Sequence, residues 1–233
     1  MISARRLSIV CRDRSVLDNV SFSVAAGECV GVSGASGSGK SALLQAFAGM
    51  VKPTAGSIHL DGEDGPADAL LLRRSVTYGA SDALVGDGLR VDEYLRFVAK
   101  VRTPHGVVEA SAGAAAARRV GLDPTAAIVT LTPAQRAALA IAAAVVTPAR
   151  VVLIDGAVDA LARGELERVI SWLLEVRDRD VAMLVTTNDD EVQTSLCHRV
   201  VQLVHGSVAA QWRPEAVPPG VAVTQAEPPS RVL

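Results

Sequence analysis

The sequence predicts an α/β protein: a mostly parallel core sheet, an antiparallel β subdomain at the N-terminal end, and an inserted helical lobe. Three observations carry this. An apolar strand at 29–33 runs straight into a glycine-rich stretch and then a helix. A second apolar strand at 150–155 ends in a carboxylate, as strands buried on both faces of a parallel sheet do. Between them, three segments place apolar residues at helical spacing.

Taken in order, residues 7–11 and 20–24 alternate in polarity around the charged turn Arg12-Asp13-Arg14, which predicts an antiparallel hairpin. The helix after the glycine-rich stretch carries Leu43, Leu44 and Phe47 on one side and stops near Gly49. Pro53-Thr54-Ala55-Gly56 makes a turn, 57–62 an edge strand, 63–69 a polar loop and 75–78 a short strand. Helices follow at 91–101, 108–120 and 133–146; they predict a lobe over about 87–146. After the 150–155 strand come a helix at 166–176, a buried strand at 181–186 and a closing hairpin at 199–208. The acidic run Asp189-Asp190-Glu191 reads as the start of a helix, where negative charge favours the helix dipole. Pro214, Pro218, Pro219, Pro228 and Pro229 mark 214–233 as a Pro-rich, flexible tail, leaving 1–213 as one domain.

A chain of 233 residues buries a full core as one domain. Aromatics are 3% of it, so Ala, Val and Leu must fill the core. A net charge of −2 gives no general attraction to phosphate backbones, and no nucleic-acid partner is expected. The longest apolar run, 137–146, is half of the roughly 20 residues a membrane span needs. No signal-peptide pattern opens the chain, so residence in the cytoplasm is expected. Cys11, Cys29 and Cys197 are far apart and in no metal-ligand spacing; they read as small hydrophobes or free thiols. His59, His105, His198 and His205 form no ligand pair.

The strongest signal is Gly34-Ala35-Ser36-Gly37-Ser38-Gly39-Lys40-Ser41, which satisfies G-x-x-x-x-G-K-[ST] between a strand and a helix. Glycines let successive N–H groups curl inward around phosphate oxygens, and the helix N-terminus and Lys40 add positive charge. Ser41 is expected to place its hydroxyl on Mg²⁺, and Asp155, ending the 150–155 strand, to supply the metal's carboxylate. Asp155 alone would read as a helix cap; the loop changes that reading.

The order of these pieces resembles the ATP-binding subunit of ABC transporters, over roughly residues 2–213. Val16-Leu17-Asp18-Asn19-Val20-Ser21-Phe22 is similar to the family's opening hairpin, and Lys52-Pro53-Thr54-Ala55-Gly56-Ser57-Ile58 to the turn after its first helix. Leu131-Thr132-Pro133-Ala134-Gln135-Arg136 stands where the family places its L-S-G-G-Q-R signature. The resemblance implies a P-loop NTPase core of the ABC ATPase type, ATP and Mg²⁺ as cofactors, and head-to-tail pairing with a second ATP-binding subunit. It also implies polytopic membrane permease subunits as partners, with the chain peripheral on the inner face of the cell membrane. The run Val91-Asp92-Glu93-Tyr94-Leu95-Arg96-Phe97 looks most like exporters.

The departures from the family carry more information. The glutamate that polarises the attacking water is replaced by Gly156, the γ-phosphate histidine by Thr187, and the glutamine linking metal and membrane subunit by Ser81. The adenine-stacking aromatic is absent near Cys11, and the signature glycines are Pro133 and Ala134, leaving Thr132 as the one hydroxyl. No catalytic residue is therefore assigned. General-base assistance is worth on the order of 10² to 10⁴ in rate, so hydrolysis is expected to be slow or absent. Phosphate cradling does not need the base, so Mg-ATP should still bind; a missing aromatic removes about 1 kcal/mol. Asp159 is near enough in sequence to stand in as a base, but the turn after the strand should carry it away.

Two weak sites in a homodimer make poor physical sense, so a heterodimer with a competent ABC subunit is the expected assembly. The alternative is a nucleotide-dependent regulatory or scaffold protein without a membrane subunit, supported by the loss at Ser81. A DNA-repair or ribosome factor lacks its coiled-coil insertion or tandem cassette here. A kinase or GTPase would leave the helical lobe and 131–135 unassigned.

Overall fold

Two sheets share one layered body in the computed structural model, which describes residues 1–61, 65–80, 88–103 and 107–214. Ser81 and the Pro-rich segment beyond Pro214 lie outside the described residues. The first sheet is antiparallel. Its strands β1 (Ile2–Cys11) and β2 (Arg14–Val24) form a hairpin, with β4 (Ala55–Leu60) on the far side of β1. Both hairpin strands run longer than the 7–11 and 20–24 stretches. The β1–β2 register shifts between Ala4 and Leu7, Leu7 and Ile9, and Ile9 and Val10, and Arg6 and Asn19 adopt positive φ. Each irregularity interrupts the alternation on which a strand is recognised, so the sequence shows it only in pieces.

The second sheet has the order β5-β6-β7-β3-β8-β9. In it β5 (Val76–Ala80), β6 (Val151–Asp155), β7 (Ala182–Thr186), β3 (Cys29–Ser33) and β8 (Arg199–Val204) are parallel. The antiparallel edge strand β9 (Ser207–Trp212) closes it, four residues past the predicted end of the hairpin. Every residue of β3, β6 and β7 is buried, and their side chains alternate between two apolar clusters. Val30, Val32, Leu153 and Leu184 face α1 (Lys40–Phe47), whose Leu43, Leu44 and Phe47 have no exposed surface. Burying side chains of that size stabilises by about 1.5–3 kcal/mol each. Cys29, Val152, Ile154, Met183 and Val185 face the other way, toward α5 (Pro133–Val145), α6 (Arg163–Arg177) and α7 (Asp190–Leu196).

The helices α3 (Val91–Arg102) and α4 (Ala112–Arg119) complete the molecule. Val91, Leu95, Ala116, Ala117 and Val120 join the same apolar cluster as α5 and α6. Arg119 also reaches α6, pairing with Glu175 at 2.7 and 2.8 Å and lying 5.7 Å over the Trp172 ring. α4 is shorter than the expected 108–120 because Ser111 provides no side-chain cap and nothing in the alanine run marks a start.

One helix departs from the sequence expectation. Residues 69–75, read as the end of a loop and the start of a strand, form α2 (Ala69–Ser75). Asp68 caps it, accepting from Leu71 N at 2.7 Å. Three successive leucines, of which Leu70 is exposed and Leu72 buried, carry no helical period for a sequence reading to find. Asp189 caps α7 in the same way, accepting from Val192 N at 3.0 Å, so the acidic run does open a helix. Cys29 and Cys197 are distant in sequence but adjacent in space, with both thiols buried and 4.0 Å between sulfurs, while Cys11 is exposed.

Candidate functional site

The glycine-rich loop leaves β3 at Ser33 and enters α1 at Lys40, at the C-terminal ends of the parallel strands where open α/β sheets take ligands. Its entry is tightly determined. Gly34 has φ +143°, and a Cβ there would collide with Leu203 O and lie 2.6 Å from Ser38 Oγ. The turn between β8 and β9 braces the loop from behind, with Gly206 N donating to Ser38 O at 3.1 Å. At its exit Gly39 is the N-cap of α1 and offers no side-chain acceptor, so the helix's first N–H groups stay available to an anion.

Lys40 Nζ folds back on the loop, donating to Gly34 O at 2.6 Å and Ala35 O at 2.9 Å. An ammonium has three donors, so one remains. Ser33 Oγ and Ser38 Oγ, which flank the entry, are buried without a hydrogen-bond partner among the described residues. The loop thus carries polar capacity that no other described residue takes up. The Ser41 side chain, in the first turn of α1, is exposed.

Asp155 ends β6 and is 8% exposed. Tyr78 OH donates to its Oδ2 at 2.9 Å and Thr186 Oγ1 to its Oδ1 at 2.9 Å. Each oxygen keeps a lone pair, so the group can still ligate. No cluster of three or more His, Cys, Asp or Glu occurs among the described residues. Ser41 and Asp155, the two residues expected to hold a metal, both offer oxygen, the donor type that Mg²⁺ takes. Neither Tyr78 nor Thr186 was singled out from the sequence. The adjacent parallel strands β5 and β7 bring them to Asp155, which only the strand order reveals.

The next residue, Gly156, has φ +65°, donates its N–H to Thr186 Oγ1 at 2.7 Å, and has open space where a Cβ would stand. Asp159 is not carried away, as the sequence had implied. Its carboxylate returns to the end of β7, accepting from Thr187 Oγ1 at 2.5 Å and Asn188 N at 3.3 Å. Thr187 Oγ1 also accepts from Asp189 N at 3.0 Å, so its one proton and an acceptor site are both spent inside the chain. Asn188 clasps the loop entry: Gly34 N donates to its Oδ1 at 3.0 Å, and its Nδ2 donates to Gly34 O at 3.2 Å. Thr132 caps α5, its hydroxyl accepting from Gln135 N at 3.2 Å while Thr132 N donates to Gln135 Oε1 at 3.0 Å.

A profile of the ABC transporter family matches residues 17–159, over half of the chain. Among curated proteins, the chain is 33% identical to a phosphonates import ATP-binding protein, PhnC 1, of Cupriavidus metallidurans, covering 96% of this chain and 84% of that one. It is 35% identical to the hemin import ATP-binding protein HmuV of Nocardia farcinica, covering 88% and 73%. Among solved structures, a dimeric ATP-binding cassette in a post-hydrolysis state bound to ADP and Pi superposes with a TM-score of 0.81 at 21% identity, over 93% of this chain and all of that one. The cbiO1 protein of Clostridium perfringens, part of an ABC transporter complex, gives 0.73 at 22% identity, over 91% and 88%. The likeness of fold, the family match and the relatives agree: this chain belongs to the ABC transporter family, as an ATP-binding subunit.

Proposed function

We propose that this subunit holds Mg-ATP in the loop Gly34, Ala35, Ser36, Gly37, Ser38, Gly39, Lys40 and Ser41, hydrolyses it slowly or not at all, and pairs with a second, catalytically competent ABC subunit. Residues 1–213 are its ATP-binding domain in this reading, with the helical lobe at about 87–146. Loop N–H groups, the α1 N-terminus and the third Lys40 donor bind the triphosphate. Ser41 and Asp155 would hold Mg²⁺, which when bound neutralises charge on the phosphates.

The observation that carries the impaired-hydrolysis reading is the state of Gly156 and Thr187. Gly156 offers no side chain, and the Thr187 hydroxyl is committed to Asp159 and Asp189 N. Asp159 is held at the end of β7 by Thr187 and Asn188, one donor on each oxygen, and is not the residue that follows Asp155. Ground-state binding survives such losses while the chemical step does not.

The two curated relatives named above are import ATP-binding proteins, which supports import by this chain's transporter and weighs against the export hint in residues 91–97. No helix among the described residues is long and apolar enough to cross a membrane, so attachment to the cytoplasmic face runs through permease subunits in this account. ATPase measured for the purified chain alone and with candidate partner cassettes tests the proposal. Turnover should appear only with a partner; brisk turnover by the chain alone would overturn it. Co-purification with a polytopic membrane protein separates this account from a scaffold without a permease.

A further inference from the structure

The clasp between Asn188 and Gly34 lies outside every role assigned above. The Gly34 carbonyl receives two donors, Lys40 Nζ at 2.6 Å and Asn188 Nδ2 at 3.2 Å, while Gly34 N–H is held by Asn188 Oδ1. Asn188 is itself fixed by its neighbours. Its N–H donates to Asp159 Oδ2, the preceding Thr187 donates to Asp159 Oδ1, and Thr187 N donates to Val32 O at 3.1 Å. Gln193 Nε2 of α7 donates to Thr187 O at 3.4 Å. A continuous hydrogen-bonded path therefore runs from the segment after β6, through the end of β7, to the entry of the glycine-rich loop.

We propose that Asp159 and Asn188 are positioning residues for the nucleotide: Asp159 orients the 187–188 segment so that the Asn188 amide fixes the Gly34 peptide. A carbonyl shared between two donors holds each less tightly than one it serves alone. The second donor therefore loosens Lys40's grip on its own loop and leaves the ammonium releasable to phosphate. Without the amide, Gly34 N–H loses its acceptor and Lys40 becomes the remaining donor on Gly34 O. Both changes disfavour the loop geometry that receives a triphosphate. The carboxylate after β6 thus acts on binding, through the loop, rather than on water.

This rests on the nucleotide-binding reading, and the test separates the two. Mg-ATP affinity is measured for the wild type, Asp159→Asn, Asn188→Ala and the double variant, with thermal unfolding followed for each. One net hydrogen bond corresponds to about a 3- to 10-fold change in Kd. Each single variant should weaken Mg-ATP by about that factor. Because Asp159 acts through Asn188, Asp159→Asn should change affinity less than about 2-fold in the Asn188→Ala background. Rescue follows the same logic: Asn188→Asp keeps the acceptor for Gly34 N–H but faces an oxygen to Gly34 O, and should stay weak. In the nucleotide-free chain, amide exchange at Gly34 should quicken in both single variants, a readout that needs no ATP. Equal loss from Asp159→Asn in both backgrounds, or unchanged affinity and unchanged Gly34 exchange in the single variants, would overturn the proposal. A wild type that takes up no Mg-ATP would overturn the nucleotide reading, and this inference with it.

Discussion

Tyr78 OH donates to Asp155 Oδ2 at 2.9 Å, across the parallel pairing of β5 with β6, while Thr186 holds the other oxygen from β7. Two hydroxyls from flanking strands thus aim one buried carboxylate. Groups that orient a metal-binding side chain typically matter about 10-fold or more in metal affinity. Tyr78→Phe should raise the Mg²⁺ concentration that half-saturates ATP binding by about that factor. A Mg²⁺ titration at fixed ATP reads it, and an unchanged midpoint would place the metal elsewhere.

Gly34→Ala and Lys40→Ala should fail differently. The new methyl at Gly34 meets backbone at Leu203 O and a strained φ, so the loop must shift and stability should fall by about 2 kcal/mol or more. The Lys40 ammonium hydrogen-bonds to two carbonyls of its own loop and to no other group among the described residues, so Lys40→Ala should abolish Mg-ATP binding with a stability change of about 1 kcal/mol or less. Calorimetry and chemical denaturation on both variants separate the two effects.

Gly156→Glu tests whether the missing base is what limits hydrolysis. Its side chain would meet open space, but φ +65° is left-handed, where a non-glycine residue costs about 1–2 kcal/mol. The unfolding midpoint should therefore drop by about 2–8 °C for a chain of this size. Phosphate release in the presence of a partner cassette should rise about 10-fold or more, short of the full general-base factor, because the backbone is not set for a side chain there. No gain would show that other parts of the site also prevent turnover.

Glu28 and Arg199 give a pH prediction. Burial pushes the Glu28 carboxyl up, but the Arg199 guanidinium at 2.6 Å and Ala25 N–H at 2.8 Å outweigh it and hold the group below its ordinary 4.5. A carboxyl lowered on folding adds stability above its unfolded value, and that contribution is lost as pH falls through the folded one. Wild type should lose about 1 kcal/mol more than Glu28→Gln between pH 7 and pH 3, a modest figure because the pair is partly solvated. Equal losses in urea unfolding would remove the pair from the account.

The strand, loop and helix at 29–47 and the carboxylate of Asp155 were legible because glycine chemistry, full burial and short range all act within one segment. What surrounds them was not. Tyr78, Thr186, Asp159 and Asn188 reach the site through the order β5-β6-β7-β3, a non-local fact that no local pattern encodes. A turn after β6 is expected to carry Asp159 away from the site. In the structure, a short helical turn at Val158–Ala160 brings its carboxylate back to Thr187. Thr132, the one hydroxyl left in the signature segment, forms a capping box with Gln135 three residues on.

On the proposed function, this chain binds Mg-ATP and does not by itself turn it over. Calorimetric titration of the purified wild type with Mg-ATP, followed by phosphate release on the same preparation, tests it most directly. Saturable uptake that Lys40→Ala abolishes, with phosphate appearing no faster than from the Lys40→Ala chain, is the predicted result. No heat of binding, or turnover of about 1 per second or faster without any partner, would contradict it.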